Sequence, residues 1–193
     1  AILGLAYLLE KQSLTAVTRG MVQKIHTAGR NLLVIINDIL DFSKIEAHRL
    51  EIEHVPFRLS DVLDNLASIM SAAVGEKSIE VVVGPAPPGA EFLKGDPLRL
   101  GQILINLAGN AIKFTEAGEV VVNIAQIGVN QSDNRVILQF SVRDTGIGIP
   151  LDTQEAIFSA FMQADNSTTR SFGGTVLGLS ISRCLTELMG GQL

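Results

Sequence analysis

Asn106, Asn110 and Lys113 recur at intervals of four and three in a segment that is otherwise strongly apolar. On a helix, that spacing places two amides and an ammonium on one face. Polar groups set into an apolar helix need partners. Amide oxygens are hard ligands suited to Mg²⁺, which keeps several waters and shares its coordination with substrate phosphates. Lys113 would neutralise phosphate charge, and Phe114 beside it could pack on a base. The alternative is a helix face hydrogen-bonded to a neighbouring loop.

Two further groups of residues could complement that face. DTGIGIP, Asp144 to Pro150, follows an alternating apolar segment, Val136 to Val142, that reads as a strand. A carboxylate at a strand end can accept a hydrogen bond from an exocyclic amine. Gly146 and Gly148 would let the backbone approach a flat ring closely. The plainer reading is a strand, a glycine turn and a helix cap. FGGTVLGL, Phe172 to Leu179, opens a helix with glycines, and free backbone N–H groups at a helix N-terminus favour anions. The polar run before it, Gln163 to Arg170, reads as a mobile lid with Arg170 a candidate phosphate contact, or as an ordinary surface loop.

These residues need elements to position them, and the chain has two parts of different character. Residues 14–53 contain no Pro and only two Gly, and predict one helix of about forty residues. Met21, Ile25, Ala28, Leu32, Ile35, Ile39 and Phe42 form a heptad seam, which Val22, Leu33, Ile36 and Leu40 widen. A face that wide suits a bundle. With the short helix before it (Ile2, Leu5, Leu8, Leu9), a four-helix bundle made by dimerisation is the economical solution. After Pro56 the pattern changes. The spacing predicts a helix from a Ser60 cap to Val74, a strand at 80–83 and a turn-rich link at 84–89. A helix capped by Asp96 with Pro97 at its first position follows, its buried side formed by Leu100, Ile103, Leu104, Leu107, Ala111 and Ile112. Then come a hairpin of strands 119–127 and 135–144, a helix around 152–160 and a last helix at 177–189. Sequence-adjacent strands pairing antiparallel under helices on one face give a two-layer α+β sandwich.

The bulk numbers limit the function. A net charge of −5 over 193 residues argues against a nucleic-acid partner. The single Cys184 excludes an internal disulfide and a CxxC metal site, and fits a cytoplasmic setting. No uninterrupted apolar run reaches the length of a membrane span. Both ends read as cut from something longer, so any membrane segment would lie outside residues 1–193.

Taken in their fixed order, the motifs make the chain resemble the sensor histidine kinases of two-component systems over nearly its whole length. NLAGNAIKFT (106–115) looks like the N box, and DTGIGIP looks like the first glycine box. IFSAFMQAD (157–165) looks like the F box, and FGGTVLGLSIS looks like the second glycine box. LLVIINDILDFSKIEA (32–47) resembles the second helix of the dimerisation domain, and GDPLRLGQIL (95–104) also follows the family. The match is closest in character to bacterial hybrid kinases. It implies that residues 1–54 are a dimerisation and histidine-phosphotransfer hairpin. Residues 55–193 would be an α/β sandwich of the Bergerat ATP-binding fold.

The resemblance also implies ATP and Mg²⁺ as cofactors. Asn110 would bind the metal, with Asn106 beside it. Lys113 would contact phosphates, Phe114 would lie by the adenine, and Asp144 would accept the adenine amino group. Gly146, Gly148 and Ile149 would shape the pocket, and Phe158 and Phe161 would brace the lid. Arg170, Thr175, Leu177 and Gly178 would approach the phosphates. The implied partners are a second copy of the chain and a response regulator or receiver domain. Hydrolysing relatives of the fold carry a Glu where this chain has Asn106, and an amide is not a base. Phosphoryl transfer to a protein side chain is therefore favoured over hydrolysis. The rivals are an ATPase of the same fold and a dimerising signal-relay module that binds nucleotide poorly.

Three departures from the family pattern carry expectations. The register puts the acceptor His eight residues before Ala1, and His26, His48 and His54 do not match it. Residues 1–193 alone would then not phosphorylate themselves. Val176 stands where the family motif GGTGLGL has Gly. A β-branched residue resists φ > 0, which predicts weakened nucleotide binding or a displaced lid. The family continues past MGGQL into a further strand, whose absence would lower stability.

Overall fold

Thr15 opens the long helix of the first part, its Oγ1 accepting the Thr18 amide at 3.2 Å. The computed structural model describes residues 2–130, 135–158 and 177–193, and the chain divides between Leu50 and Glu51 into two compact units. The first is a helical hairpin of α1 (Ile2–Glu10) and α2 (Ala16–Glu46). Ala6 and Val22 are buried between the helices, and a side chain at Gly29 would press on Leu3 at 2.8 Å. α2 ends at Glu46, earlier than the helix expected to reach residue 53. His48 takes a left-handed φ of 51°. Its N–H donates to Ile45 and that of Arg49 to Lys44, both at 2.9 Å. This pair of bonds closes a helix in the Schellman manner, with His in the place usually taken by Gly.

The second unit contains β1 (Val55–Arg58), α3 (Leu59–Val74), β2 (Ser78–Val83), β3 (Phe92–Gly95) and α4 (Pro97–Phe114). It continues with β4 (Ala117–Asn130), β5 (Arg135–Asp144), a 3₁₀ turn (Ala156–Phe158) and α5 (Gly178–Leu188). Among the described residues the sheet order is β2-β4-β5, with β1 and β3 forming a separate antiparallel pair. The architecture is α+β, but the pairing differs from the expectation. β4 and β5 are antiparallel, whereas β2 and β4 are parallel, with Ser78 opposite Ala117. The intervening β3 and α4 supply the crossover that a parallel pair requires.

α3 starts at Leu59 and makes no side-chain cap bond, so Ser60 lies within the helix rather than before it. The Leu59 N–H donates instead to the Glu91 carbonyl at 3.0 Å. Residues 151–155 form turns where a helix was expected. There the Thr153 hydroxyl donates to Pro150 O at 2.9 Å and the Gln154 amide to Ile149 O at 3.1 Å, side-chain bonds that compete with a helical ladder.

The core joins two helices to the central strand. Leu59, Leu63, Leu66 and Met70 of α3 meet Leu104, Ala108, Ala111 and Ile112 of α4 over Val120, Val122 and Ile124 of β4. Leu107, expected on the buried side, is only half-buried. No helix among the described residues is long and apolar enough to cross a membrane.

Candidate functional site

α4 carries the Asn/Asn/Lys face, and its start is fixed by one buried carboxylate. Asp96 Oδ1 accepts the Arg99 amide at 3.0 Å, as an N-cap does. Its Oδ2 accepts the Glu53 amide at 3.1 Å. Both oxygens are satisfied, which is why Asp96 can be 4% exposed.

The three polar residues of the face have different surroundings. Asn106 Nδ2 donates to Ser182 Oγ at 2.8 Å. A side chain on Gly178 would run into the Asn106 amide, so Asn106 joins α4 to the start of α5. Asn110 is half-buried, and no hydrogen bond ties its side chain to another described residue. Lys113 sits with Nζ 4.5 Å from the centroid of the Phe114 ring, and burial lowers its pKa from the ordinary lysine value.

The glycine turn after β5 docks on the end of the same helix. The Ile147 N–H donates to Phe114 O at 3.3 Å, and a side chain on Gly146 would collide with that carbonyl. Asp144 Oδ1 accepts the Gly146 amide at 2.9 Å. Gly148 has a φ of 69°, a region that favours glycine. The turn is also tied to β4, since the Glu119 amide donates to Thr145 Oγ1 at 3.0 Å and the Thr145 amide to Glu119 O at 3.2 Å. Asp144 and Ile149 are exposed beside it.

The structure thus brings Phe114, Asp144, Gly146 and Gly148 to one end of α4 and Asn106 against Gly178 further along it. Leu177 is buried at the start of α5. Phe158 is half-buried, with the Arg183 guanidinium 6.0 Å from its ring centroid. Phe161, Arg170, Thr175, Val176 and the expected lid lie outside the described residues. Sequence reasoning missed Ser182 and Thr145, because a Ser in a helix and a Thr in a turn carry no distinguishing local signal.

A family model described as histidine kinase-, DNA gyrase B-, and HSP90-like ATPase matches residues 95–193. One described as the His Kinase A (phospho-acceptor) domain matches residues 1–48. The chain belongs to the sensor histidine kinases, with the ATPase-type fold as its second part. Sensor protein GacS of Pseudomonas syringae pv. syringae is 45% identical over 192 residues, a match covering 100% of this chain and 21% of that protein. The signal transduction histidine-protein kinase BarA of Escherichia coli K12 is 41% identical over 192 residues, with the same coverage of 100% and 21%. The chain therefore spans about a fifth of the length of these curated relatives. Among solved structures, full-length ShkA in complex with AMPPNP is 38% identical with a TM-score of 0.73, covering 98% of this chain and 38% of that one.

Proposed function

We propose that this chain is the dimerisation and catalytic core of a histidine kinase that binds Mg-ATP in its second unit. In the whole protein the γ-phosphate would pass to a His of the dimerised helices and then to an Asp of a response regulator or receiver domain. The observation that carries this reading is the bond from Ile147 N–H to Phe114 O. It holds the Asp144 turn against the helix end that bears Asn110 and Lys113, so one ligand could touch an acceptor for its base and donors for its phosphates.

Each group has a chemical role in that reading. Asp144 has one oxygen on its own turn and a second for an adenine amino group. Gly146, Gly148 and Ile149 line the ring, with Phe114 at its edge. Among the described residues no three His, Cys, Asp or Glu side chains cluster as a metal site. Mg²⁺ would take Asn110 as its protein ligand, with phosphate oxygens and water completing the shell. Lys113 offers a desolvated ammonium whose charge phosphates would compensate. Arg170, Thr175, Leu177 and Gly178 would approach the phosphates, and Phe158 and Phe161 would brace the lid. Catalysis would come from positioning and charge neutralisation. Asn106 cannot serve as a base for water and is engaged with Ser182, which favours transfer over hydrolysis. None of the chain's three histidines stands in the acceptor register.

Titration with ATP, with and without Mg²⁺, tests the reading. Saturable, Mg²⁺-dependent binding is expected. No binding at about 1 mM ATP, the upper end of ordinary KM values, would leave only the signal-relay role. Val176 bears on the same measurement. If the second glycine box needs a left-handed backbone there, about 1–3 kcal/mol of strain opposes binding. Val176→Gly is then expected to bind more tightly, and equal affinities would show that the valine is tolerated.

A further inference from the structure

The last four carbonyls of an α-helix have no partner within the helix. In α4 these belong to Ala111, Ile112, Lys113 and Phe114. Thr115 N–H serves the first at 3.1 Å, and Ile147 N–H serves the last at 3.3 Å. The middle two are taken by one side chain from elsewhere in the chain. Lys77 Nζ donates to Ile112 O at 2.9 Å and Lys113 O at 3.1 Å, and also to Thr115 O at 2.9 Å. An ammonium has three N–H donors, and all three are used. Its charge also complements the negative end of the helix dipole.

We infer that Lys77 is a positioning residue for the nucleotide site, a role that rests on the reading of α4 proposed above. Its backbone is placed for this. Gly75 turns the chain out of α3 with a φ of 57°, and the Lys77 N–H donates to Val74 O at 3.1 Å. β2 then runs parallel to β4 with Ser78 opposite Ala117, which sets Lys77 beside the end of α4. The turn it holds bears Asn110, Lys113 and Phe114. Phe114 O in turn receives the glycine turn that carries Asp144, so both halves of the site depend on the same helix end. Lys77 also fills the place that the Lys113 ammonium could otherwise take. A lysine in the last turn can bond the terminal carbonyls of its own helix. With those carbonyls occupied, Lys113 is left for phosphate.

The test compares the two ends of α4. Mg-ADP affinity is measured for the parent chain, Lys77→Met, Lys77→Arg and Asp96→Asn, below the melting temperature of each. Asp96→Asn weakens the helix start, whereas Lys77→Met weakens the end at the site. Lys77→Met is expected to lose about tenfold or more in affinity and Asp96→Asn less than about threefold, with Lys77→Arg between them. Equal losses for Lys77→Met and Asp96→Asn, or none for Lys77→Met, would reduce Lys77 to a stabilising cap and overturn the proposal. Should Lys77→Met not fold, Lys77→Arg decides: weaker binding at unchanged melting temperature sustains the role, and parental affinity removes it. If the parent chain itself binds no Mg-ADP, the nucleotide reading fails and the proposal fails with it. If the parent binds and only the Lys77 comparison fails, the nucleotide reading stands.

Discussion

The two long amphipathic helices of this chain have opposite fates. α4 buries Leu104, Ala108, Ala111 and Ile112 against α3 and the sheet. α2 is longer, 31 residues, yet Val22 is its one buried residue within the hairpin unit. Most of its seam stays open, from Ile35 at 39% exposed to Met21 at 60%, with Phe42 half-buried at its end. Both sequences carry helical periodicity, so amphipathicity alone does not say where an apolar face is buried. Within its own unit α4 has a sheet to pack on, whereas within the hairpin α2 has the nine residues of α1. An apolar stripe of that length left open marks an interaction surface, and the proposed occupant is a second copy of the same hairpin.

The largest effect should come from breaking the closed side. Leu104→Ala leaves a cavity between α3, α4 and β4, where Leu104 is 1% exposed. It is expected to cost the second unit about 2–5 kcal/mol, read as a lower unfolding midpoint, with self-association unchanged. A loss below about 1 kcal/mol would mean that the core is not packed as described.

The open side should break differently. Leu32→Glu with Ile39→Glu puts two carboxylates into the seam. They are exposed in one chain but would be buried and opposed in a dimer. Dissociation constants from analytical ultracentrifugation are expected to rise about a hundredfold or more, while unfolding of the second unit stays in place. A parent chain that is monomeric at micromolar concentrations would end the comparison, because α2 would then tolerate its exposed face alone.

A smaller change probes where the polar face of α4 is itself closed. Ser182→Ala removes the acceptor of Asn106 Nδ2 and leaves a part-buried donor unpaired. The expected cost is about 1–2 kcal/mol in unfolding. Ser182→Thr, which keeps the hydroxyl, should recover part of it. Stability unchanged by Ser182→Ala would indicate that Asn106 does not brace α5.

What could be read from the sequence was locally encoded. Asp96-Pro97 announces a helix start because the cap and the missing N–H act within one turn. The spacing of Asn106, Asn110 and Lys113 fixes their common face once a helix forms. The glycine at 190, with a φ of 80°, likewise marks the end of α5. What depended on distant partners was hidden. His48 ends α2 in a conformation usually supplied by Gly, so nothing in its type gave the boundary away. The parallel pairing of β2 with β4 follows from a crossover, not from either strand's pattern. Ser60 looks like a cap, but Glu91 O supplies the partner and shifts the helix start. Lys77 reads as an ordinary surface lysine until the end of α4 is placed beside it. The part of the predicted site made by Phe161, Arg170 and Thr175 lies outside the described residues.

The smallest effect concerns Lys113, the part of the α4 face that is neither closed like Asn106 nor fully in solvent. Burial disfavours its charged form and lowers its pKa. The unfolded chain therefore binds more protons than the folded one in the window just below lysine's ordinary range. Stability rises with pH wherever the unfolded state holds more protons. The nucleotide-free chain should thus gain slightly in stability as pH climbs through that window, and Lys113→Met should flatten the gain. The same variant should lose about tenfold in Mg-ADP affinity, since it removes the charge that phosphates would compensate. Bound phosphate should also pull the Lys113 pKa back up, so that binding in the alkaline window takes up protons. Calorimetry in buffers of different ionisation enthalpy measures that uptake directly. Parallel stability–pH curves for the parent and Lys113→Met, with no proton uptake on binding, would place the ammonium in solvent. The polar face of α4 would then be a surface rather than a site.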